Sequence, residues 1–385
     1  METIKDVMPA AGTGTGRKVV IAHPYVPESA IAAVVEVLRG RFIGQGPLVD
    51  KFEREFEKVF DLPEGSAVAV NSGTAALELA YDLVGLGPGD EVLTPILTCT
   101  ATNIPLVRRH CKVVFSDIRQ DTLTIDWNDA LSKSSAARAI VSVNLHGINA
   151  AYVANGDAIR RFHFSGLRVI TDACQSLGQF GYDLTACSFQ AIKHISTGDG
   201  GMLICHNPDD AAKARLWRWF GIDRTKKLSN DWQPYKNRQI LFDIDYPGYK
   251  FQMTDIAAAM GLAGLGEYPA IMQARETIFN IYKACGLPLV DGPDNTYGYA
   301  CLLVDNRDEF CSRMNSAGIE TNVMHVRNDA YKIFHPFRTR LPGMDAVEDR
   351  YICIPMHNRM SSADAIYVGE IARRILEDIC HTRDT

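Results

Sequence analysis

The sequence predicts an α/β protein in which a mostly parallel sheet lies between helices, followed by a smaller α+β unit. Three observations support this prediction. Short apolar runs alternate with stretches of helical period through most of the chain, as is typical of parallel strands buried by helices on both faces. The length of 385 residues exceeds that of one small domain. Pro288, Gly292 and Pro293 interrupt the pattern, and a domain boundary is expected there.

The chain begins with a predicted lead-in, residues 1–26, and two amphipathic helices. Pro27 and Glu28 begin the first helix, and Gly40 ends it. Apolar residues recur at helical spacing in both helices: Ile31, Val34, Val35 and Leu38 in the first, and Phe52, Phe56, Val59 and Phe60 in the second. Each helix is therefore expected to pack along one face.

The sheet is predicted from short apolar runs. The predicted strands are Ala67–Val70, Glu91–Thr94, Lys112–Ser116, Ala139–Leu145, Val169–Thr171 and Gly201–Cys205. A helix over Thr74–Val84 follows the first strand, and another runs from Pro208 to near Gly221. The polar segment 223–249 is expected to be an irregular functional loop, such as a lid, because structureless loops of that length are uncommon in compact domains.

Two further helices, Thr254–Gly266 and Tyr268–Cys285, complete a predicted large domain over residues 27–286. Residues 287–385 are predicted to form a small α+β domain. Its expected elements are strand Tyr299–Val304, helix Asp308–Ala317, strand Glu320–Met324 and a last helix over Ser362–Ile379.

Composition narrows the class of function. The net charge is −6, from 40 basic and 46 acidic residues without a basic block, which disfavours nucleic acid as a partner. No apolar stretch reaches the roughly 18 residues of a membrane span. The ten cysteines stand singly, without a CxxC pair, and the N-terminus lacks the apolar region of a signal peptide. We therefore expect reduced thiols, a cytoplasmic location and no metal site.

Polar groups follow the predicted strands, and the carboxyl ends of such strands are where open α/β sheets bind ligands. These groups are Asn71–Ala76, Thr94–Asn103, His146, Asp172 with Gln175, and Ser188 with Lys193. Each has an ordinary structural explanation when taken alone. Ser72-Gly73-Thr74 is a common helix cap, Asp172 a common turn aspartate, and Lys193 an ordinary surface lysine.

Together these residues match the needs of one cofactor, pyridoxal phosphate. Its chemistry requires a lysine amine for the Schiff base and a carboxylate beside the pyridine nitrogen. A helix N-terminus with hydroxyl groups suits its phosphate. Lys193, Asp172 and the turn Ser72–Thr74 are predicted to fill these roles, and Ser188 is placed to reach the phosphate. Gly198-Asp199-Gly200-Gly201 allows a tight return into the sheet.

The order of these motifs resembles the DegT/DnrJ/EryC1/StrS family of sugar aminotransferases, which are fold type I pyridoxal-phosphate enzymes. The likeness extends from about Pro27 to Leu376. The motifs that carry it are Gly44–Pro47, Asn71–Leu77, Gly87–Val92, Asp172–Gln175, Ser188–Lys193, Gly198–Gly201, Gly248–Asp255 and Pro355–His357. Each motif is weak alone, whereas the ordered series is specific.

The resemblance implies roles for the matching residues. Lys193 would form the Schiff base and move the proton, Asp172 would pair with the pyridine nitrogen, and Gln175 would contact the phenolic oxygen of the cofactor. Ser72, Gly73, Thr74 and Ser188 would bind phosphate. Members of the family typically transfer an amino group from glutamate to a keto group of a nucleotide-linked hexose, and they act as homodimers with shared active sites.

Some positions depart from the family pattern. Cys99 stands where an aromatic ring usually stacks on the cofactor, and it is expected beside the ring face. Lys250 replaces an asparagine that crosses the dimer interface, so it is predicted to reach the cofactor phosphate of the partner subunit. Asp199 replaces the commoner glutamate. His325 and Arg327, in the predicted small domain, are assigned to substrate binding, because an arginine there suits a carboxylate or diphosphate.

Two other functions remain open at this point. One is dehydration at C-3 of a keto-sugar, a reaction of the same family in which histidine takes the lysine position. His194 is adjacent, but its spacing from Ser188 and from the glycines favours Lys193. The other is a regulatory protein that binds the cofactor without turnover. An intact pair of Asp172 and Lys193 favours the aminotransferase.

Overall fold

The computed structural model describes residues 17–153, 166–181, 183–223, 235–236, 239–240 and 243–381. One seven-stranded sheet lies at its centre, in the spatial order β1-β7-β6-β5-β4-β2-β3. The strands are β1 (Ala67–Val70), β2 (Glu91–Pro95), β3 (Lys112–Ser116), β4 (Ala137–Val143), β5 (Arg168–Asp172), β6 (Leu184–Ser188) and β7 (Gly201–Cys205).

The sheet is mostly parallel, as predicted. β2 pairs in parallel with β3 and β4, and β4, β5 and β6 continue the parallel array. β7 is antiparallel to both β6 and β1 and is the strand of this sheet that runs against the others. The carboxyl ends of β1, β5 and β6 therefore lie at the same edge, next to each other except for the intervening β7.

Helices cover the sheet. In the large part of the chain they are α1 (Glu28–Arg39), α2 (Pro47–Val59), α3 (Gly73–Val84), α4 (Thr100–Arg108), α5 (Trp127–Ser132), α6 (Ala150–Val153), α7 (Pro208–Trp217) and α8 (Asp255–Ala284). Short 3₁₀ segments lie at Ser134–Ala136 and Leu145–Gly147. Buried side chains of α2 and β1 share one apolar cluster, and those of α3 and β4 share another.

The prediction of two helices over Thr254–Gly266 and Tyr268–Cys285 is wrong, because α8 is one helix of 30 residues. Pro269 lies inside it and removes one intrahelical donor. Packing compensates for this loss: Ile271, Ile278 and Phe279, all beyond the proline, are buried. Helix stability in proteins comes mainly from such packing, so a single proline did not end the helix.

The C-terminal part contains the elements β10 (Ala300–Leu303), α9 (Arg307–Ser316), α10 (Pro342–Val347), β11 (Tyr351–Ile354) and α11 (Ser362–His381), with 3₁₀ segments at Asn328–Ala330 and Lys332–Phe337. β10 and β11 form an antiparallel pair. The predicted strand Glu320–Met324 is wrong, since one isolated bridge occurs within it, at Asn322, and another just before it, at Ile319. The strand that pairs with β10 is β11, which was not predicted.

The second half of α8 packs on the C-terminal elements. Ile278, Phe279 and Tyr282 belong to the same buried cluster as residues of β10, α9 and α11. The domain boundary at residue 287 stays a prediction.

The predicted lid over 223–249 lies largely outside the described residues. Its described parts include the two-residue strands β8 (Tyr235–Lys236) and β9 (Gln239–Ile240). At its edge, the ring of Tyr246 stacks on Trp217 with the ring centroids 4.0 Å apart. Within the part of the chain that the structure describes, no helix combines the length and apolar character needed to cross a membrane.

Candidate functional site

A cavity of about 310 Å³ lies at the carboxyl-end edge of the sheet. Nine of the residues predicted from the sequence line it: Ser72, Gly73, Thr74, Cys99, Asp172, Gln175, Ser188, Lys193 and His325. The other two predicted residues, Lys250 and Arg327, are not in this lining. Residues far apart in the sequence are brought together here because neighbouring parallel strands end at one edge.

The turn between β1 and α3 forms one wall of the cavity. Ser72 caps α3 by accepting a hydrogen bond from the backbone N–H of Ala75 to its Oγ at 3.0 Å. A Cβ on Gly73 would lie 2.7 Å from Cys174 Sγ and 2.9 Å from Ser188 Cβ, so only glycine leaves space at this turn. The first-turn N–H groups of a helix attract anions, and the positive end of the helix dipole adds to this.

Asp172 ends β5 and is only 4% exposed. Its Oδ2 accepts a hydrogen bond from Thr102 Oγ1 at 2.7 Å, and its Oδ1 accepts one from the N–H of Cys174 at 3.0 Å. Thr102 Oγ1 is in turn 2.9 Å from Thr98 Oγ1. These contacts hold the carboxylate in one orientation, which suits it to pair with a cationic ring nitrogen.

Lys193 lies in the loop between β6 and β7, on the wall that faces these groups. The loop folds back on itself, with the N–H of Thr197 donating to Phe189 O and that of Phe189 to Gly200 O. Lys193 Nζ lies 3.5 Å from Tyr299 Oη. Burial opposes the charge on Lys193, but Tyr299 and the thiols of Cys174 and Cys99 outweigh this effect and raise its pKa.

The glycines after Lys193 permit close packing. A Cβ on Gly201 would lie 2.4 Å from the backbone oxygen of Ser72, and one on Gly200 would lie 2.3 Å from Thr197 Oγ1. Side chains at these positions would push the lysine loop away from the turn before α3. The glycines therefore allow the lysine loop and the anion-binding turn to share one cavity.

Gln175 and His325 form a hydrogen-bonded pair at the side of the cavity. Gln175 Nε2 donates to His325 Nε2 at 2.7 Å, and Gln175 Oε1 accepts from the N–H of His146 at 3.0 Å. Burial, with His146 and Lys193 nearby, lowers the pKa of His325 to about 3. His325 is therefore a neutral hydrogen-bonding group at neutral pH.

Cys99 lines the cavity immediately before α4 and is partly buried. Burial raises the pKa of its thiol, which is therefore protonated at neutral pH. A neutral sulfur at this position is a soft contact for an aromatic ring.

The structure does not bring Arg327 to this cavity. Its guanidinium donates to Asp329 Oδ1 at 2.6 Å, Asp345 Oδ1 at 2.7 Å and Glu348 Oε2 at 2.8 Å. It lines a separate surface depression together with Arg338 and Arg340. The guanidinium already donates hydrogen bonds to three carboxylates, which argues against a role for Arg327 in binding a substrate anion.

Lys250 also lies outside the cavity. Its Nζ is 5.6 Å from the centroid of the Phe220 ring, and its side chain is exposed. Its backbone nevertheless lies beside the anion-binding turn, because its carbonyl oxygen accepts from Asn71 Nδ2 at 3.4 Å.

His194 points away from the cavity. Its Nε2 donates to the carbonyl oxygen of Thr296 at 2.7 Å, and it is not in the cavity lining. Burial and the nearby Arg275 lower its pKa to about 3. Lys193, and not His194, therefore faces Asp172 across the cavity.

Tyr299 and Thr102 contact predicted site residues, but neither was assigned a role from the sequence. Tyr299 lies immediately before β10 and contacts Lys193, but no nearby motif marks it and it lies beyond the predicted domain boundary. Thr102 lies in the segment Thr94–Asn103, which was expected near the site because it follows a predicted strand. Only the fold could reveal that its hydroxyl reaches Asp172.

The residues present fit pyridoxal phosphate. The cradle at Gly73 lies at a helix N-terminus, a buried carboxylate faces the cavity from β5, and a buried amine faces it from the lysine loop. One cavity therefore offers a helix N-terminus for the phosphate of the cofactor, a carboxylate for its ring nitrogen and an amine for its carbonyl group.

Comparisons with known proteins agree with this geometry. A family model described as the DegT/DnrJ/EryC1/StrS aminotransferase family matches residues 24–373. The chain is 30% identical over 384 residues to the spore coat polysaccharide biosynthesis protein SpsC of Bacillus subtilis, covering 92% of this chain and 96% of that protein. It is 27% identical over 381 residues to the dTDP-4-dehydro-2,3,6-trideoxy-D-glucose 4-aminotransferase of Saccharopolyspora spinosa, with coverage of 92% and 96%.

Solved structures give the same result. The sugar aminotransferase CalS13 of Micromonospora echinospora superimposes with a TM-score of 0.84 at 27% sequence identity, covering 92% of this chain and 99% of that chain. The predicted fold type I architecture is confirmed.

Proposed function

Because the chain belongs to the DegT/DnrJ/EryC1/StrS aminotransferase family, we propose that it transfers an amino group from glutamate to a keto group of a nucleotide-linked sugar. The chain is an enzyme of the sugar aminotransferase class, and its cofactor is pyridoxal phosphate. The observation that carries the proposal is the presence of Lys193 and Asp172 in one cavity with the turn Ser72–Thr74.

Pyridoxal phosphate, when bound, supplies a carbonyl that receives the amino group and a ring that accepts electrons. In this proposal, Asp172 keeps a proton on the ring nitrogen, because a buried carboxylate favours the cationic form of its neighbour. Lys193 anchors the cofactor and moves the proton at the substrate carbon. Gln175 would contact the phenolic oxygen of the cofactor, and Cys99 would lie beside its ring.

The phosphate is assigned to the turn before α3 and to the lysine loop. Ser72, Gly73 and Thr74 offer hydroxyl and backbone N–H donors, and Ser188 lies within contact of Gly73 across the cradle. His325, neutral and at the side of the cavity, is assigned to the substrate.

The proposed amino transfer to a keto-sugar is supported by the similarity to a named relative and by the side chain that faces Asp172. The relative from Saccharopolyspora spinosa carries the name of an enzyme that acts on a dTDP-linked keto-sugar. The side chain that faces Asp172 is Lys193, whereas the dehydratase requires a histidine at that position. We therefore prefer amino transfer to dehydration.

A homodimer and a cytoplasmic location complete the proposal. The ten cysteines are all free, which suits a reducing compartment. One face of α1 is apolar and exposed: Ile31 is 53% and Leu38 54% exposed, and Phe42 and Ile43 extend the patch. The buried residues of this helix, Ala30 and Val37, lie on a different face, and α1 packs on α8. A second copy of the chain is the proposed partner of this patch.

Leu38→Glu tests the dimer. A carboxylate in the apolar patch must lose its hydration if the patch is covered, so the variant is expected to shift from dimer to monomer in light scattering. Ser29→Glu, an exposed position of the same helix off this face, is the matched control and should stay dimeric. A monomeric wild type, or a Leu38→Glu variant that is as dimeric as the wild type, would contradict this interface.

The function is tested in two half-reactions. Glutamate added to the cofactor-loaded enzyme should bleach the yellow absorbance, and a panel of nucleotide-linked keto-sugars should then restore it with formation of an amino sugar, identified by mass spectrometry. Absorbance that no amino acid changes would contradict amino transfer. Release of ammonia with a deoxy-sugar product would favour the dehydratase.

A further inference from the structure

A second group of reactive side chains lies outside the roles described above. His146, in the 3₁₀ segment after β4, meets Cys301 of β10 and Cys353 of β11, and one ligand atom from each lies within 4.8 Å of the others. All three are buried, with 3%, 0% and 1% exposure. They are far apart in the sequence, which explains why cysteine spacing predicted no metal site.

The fold aligns the two thiols directly. Cys301 and Cys353 are partners in the antiparallel pair of β10 and β11. The backbone N–H and C=O of Cys353 both form hydrogen bonds with Asn322, on the side of β11 away from β10. Cys301 and Cys353 therefore form a non-hydrogen-bonded pair, the arrangement in which cross-strand side chains approach most closely.

The histidine is fixed beside them. His146 adopts a left-handed conformation, with a φ of 58°, and its carbonyl oxygen accepts from the N–H of Tyr299 at 3.1 Å. Its Nδ1 is buried and has no hydrogen-bond partner among the described residues. An unsatisfied buried polar atom is destabilising, so a ligand that binds this nitrogen would remove a penalty.

We propose that His146, Cys301 and Cys353 bind one Zn²⁺ ion. Two thiolates and one neutral imidazole are ligands that zinc prefers, and with the ion they make a site of zero net charge, which suits full burial. Tetrahedral zinc holds its ligand atoms about 3.5–3.8 Å apart, given bonds of about 2.0–2.3 Å. The three side chains need to approach by only about 1 Å, and water can take the fourth position.

The role of this ion is structural. It joins the segment after β4 to the β10–β11 pair, and Tyr299, two residues before Cys301, contacts Lys193. The ring of Tyr299 also meets that of His146 edge-on, with the centroids 6.1 Å apart. Zinc therefore stabilises the wall of the cavity that carries Tyr299 and takes no part in the transfer reaction.

The test is metal binding by the reduced, cofactor-loaded enzyme. After incubation with Zn²⁺ and gel filtration, the wild type should retain one equivalent of zinc per chain and melt at a higher temperature than the zinc-free protein. Co²⁺ should give the red-end visible bands of a tetrahedral thiolate site, clear of the cofactor absorbance. Cys301→Ser, Cys353→Ser and His146→Asn should each lose the zinc and the cobalt bands. Asn tolerates the left-handed backbone at position 146.

Cys205→Ser, which removes a buried thiol of β7 away from the cluster, is the matched control and should retain zinc. Circular dichroism and the cofactor spectrum verify that each variant is folded. Zinc that the reduced wild type does not retain, or that folded cluster variants retain equally, would overturn the proposal. A Cys301–Cys353 disulfide in the isolated protein, with no zinc uptake after reduction, would overturn it as well.

Discussion

Asp172 depends on two neighbours for its orientation, Thr102 and the N–H of Cys174. The Thr102 hydroxyl donates to a carboxylate in a buried site, and such a bond to a charged group contributes about 1.5–3 kcal/mol. We predict that Thr102→Val, which keeps the shape of the side chain, slows the half-reaction with glutamate by about tenfold or more. Stopped-flow absorbance of the cofactor measures this rate.

Thr98→Val is the control for this prediction, because Thr98 bonds to the Thr102 hydroxyl and not to Asp172. Its effect should be clearly smaller. Equal half-reaction rates in Thr102→Val and the wild type would mean that the carboxylate is held by other groups.

The sequence was informative for residues whose chemistry is marked by local context. Lys193 lies between an apolar run and a glycine turn, and Asp172 follows an apolar run, so both could be predicted. Tyr299 could not, because its approach to Lys193 depends on how the C-terminal part packs against the sheet. The contacts of Arg327 with three carboxylates were equally invisible, since Asp345 and Glu348 come from α10 and the turn after it.

The helix α8 contains two glycines at which substitution by alanine is expected to have opposite effects on stability. A Cβ on Gly261 would lie 2.6 Å from Cζ of Phe52, which is fully buried and cannot move aside. A Cβ on Gly266 would meet nothing within 4 Å. We predict that Gly261→Ala destabilises the protein by about 1–3 kcal/mol through overpacking.

Gly266→Ala is the matched variant on the same helix. Alanine lowers the backbone entropy that a helix must lose, so stabilisation of about 0.5–1 kcal/mol is expected. Melting temperatures of the cofactor-loaded proteins measure both effects. A Gly261→Ala variant that melts at or above the wild-type temperature would show that α2 and α8 leave room for a methyl group at this contact.

Elements with a clear period were predictable, and those defined by tertiary contacts were not. β7 was predicted with its observed bounds, because Gly201–Cys205 is a continuous apolar run. β6, Leu184–Ser188, mixes threonine, alanine, cysteine and serine, and its burial comes from neighbours on both sides. The strand expected over Glu320–Met324 did not form, and the segment makes a single bridge, from Asn322 to Cys353 of β11.

Cofactor binding and assembly of the dimer are expected to be linked through Lys250. Its backbone lies beside the turn before α3, while its exposed amine lies over the Phe220 ring. If this amine reaches the phosphate of the partner subunit, the cofactor binds the dimer more tightly than the monomer. We predict that Lys250→Ala weakens both cofactor affinity and dimerisation.

Cofactor titration combined with light scattering measures both quantities. Lys213→Ala, at an exposed position of α7, is the control for loss of a surface charge and should match the wild type. A Lys250→Ala variant that stays dimeric and binds the cofactor with unchanged affinity would show that the amine faces water.

Lys193 is proposed to carry pyridoxal phosphate in the cavity at the end of the sheet. Borohydride reduction of the loaded enzyme, followed by proteolysis and mass spectrometry, tests it most directly, because reduction fixes the cofactor to the lysine that holds it. We predict the added mass on the peptide that contains Lys193 and no fixed cofactor in Lys193→Ala. Cofactor fixed to a different lysine in the wild type would contradict it.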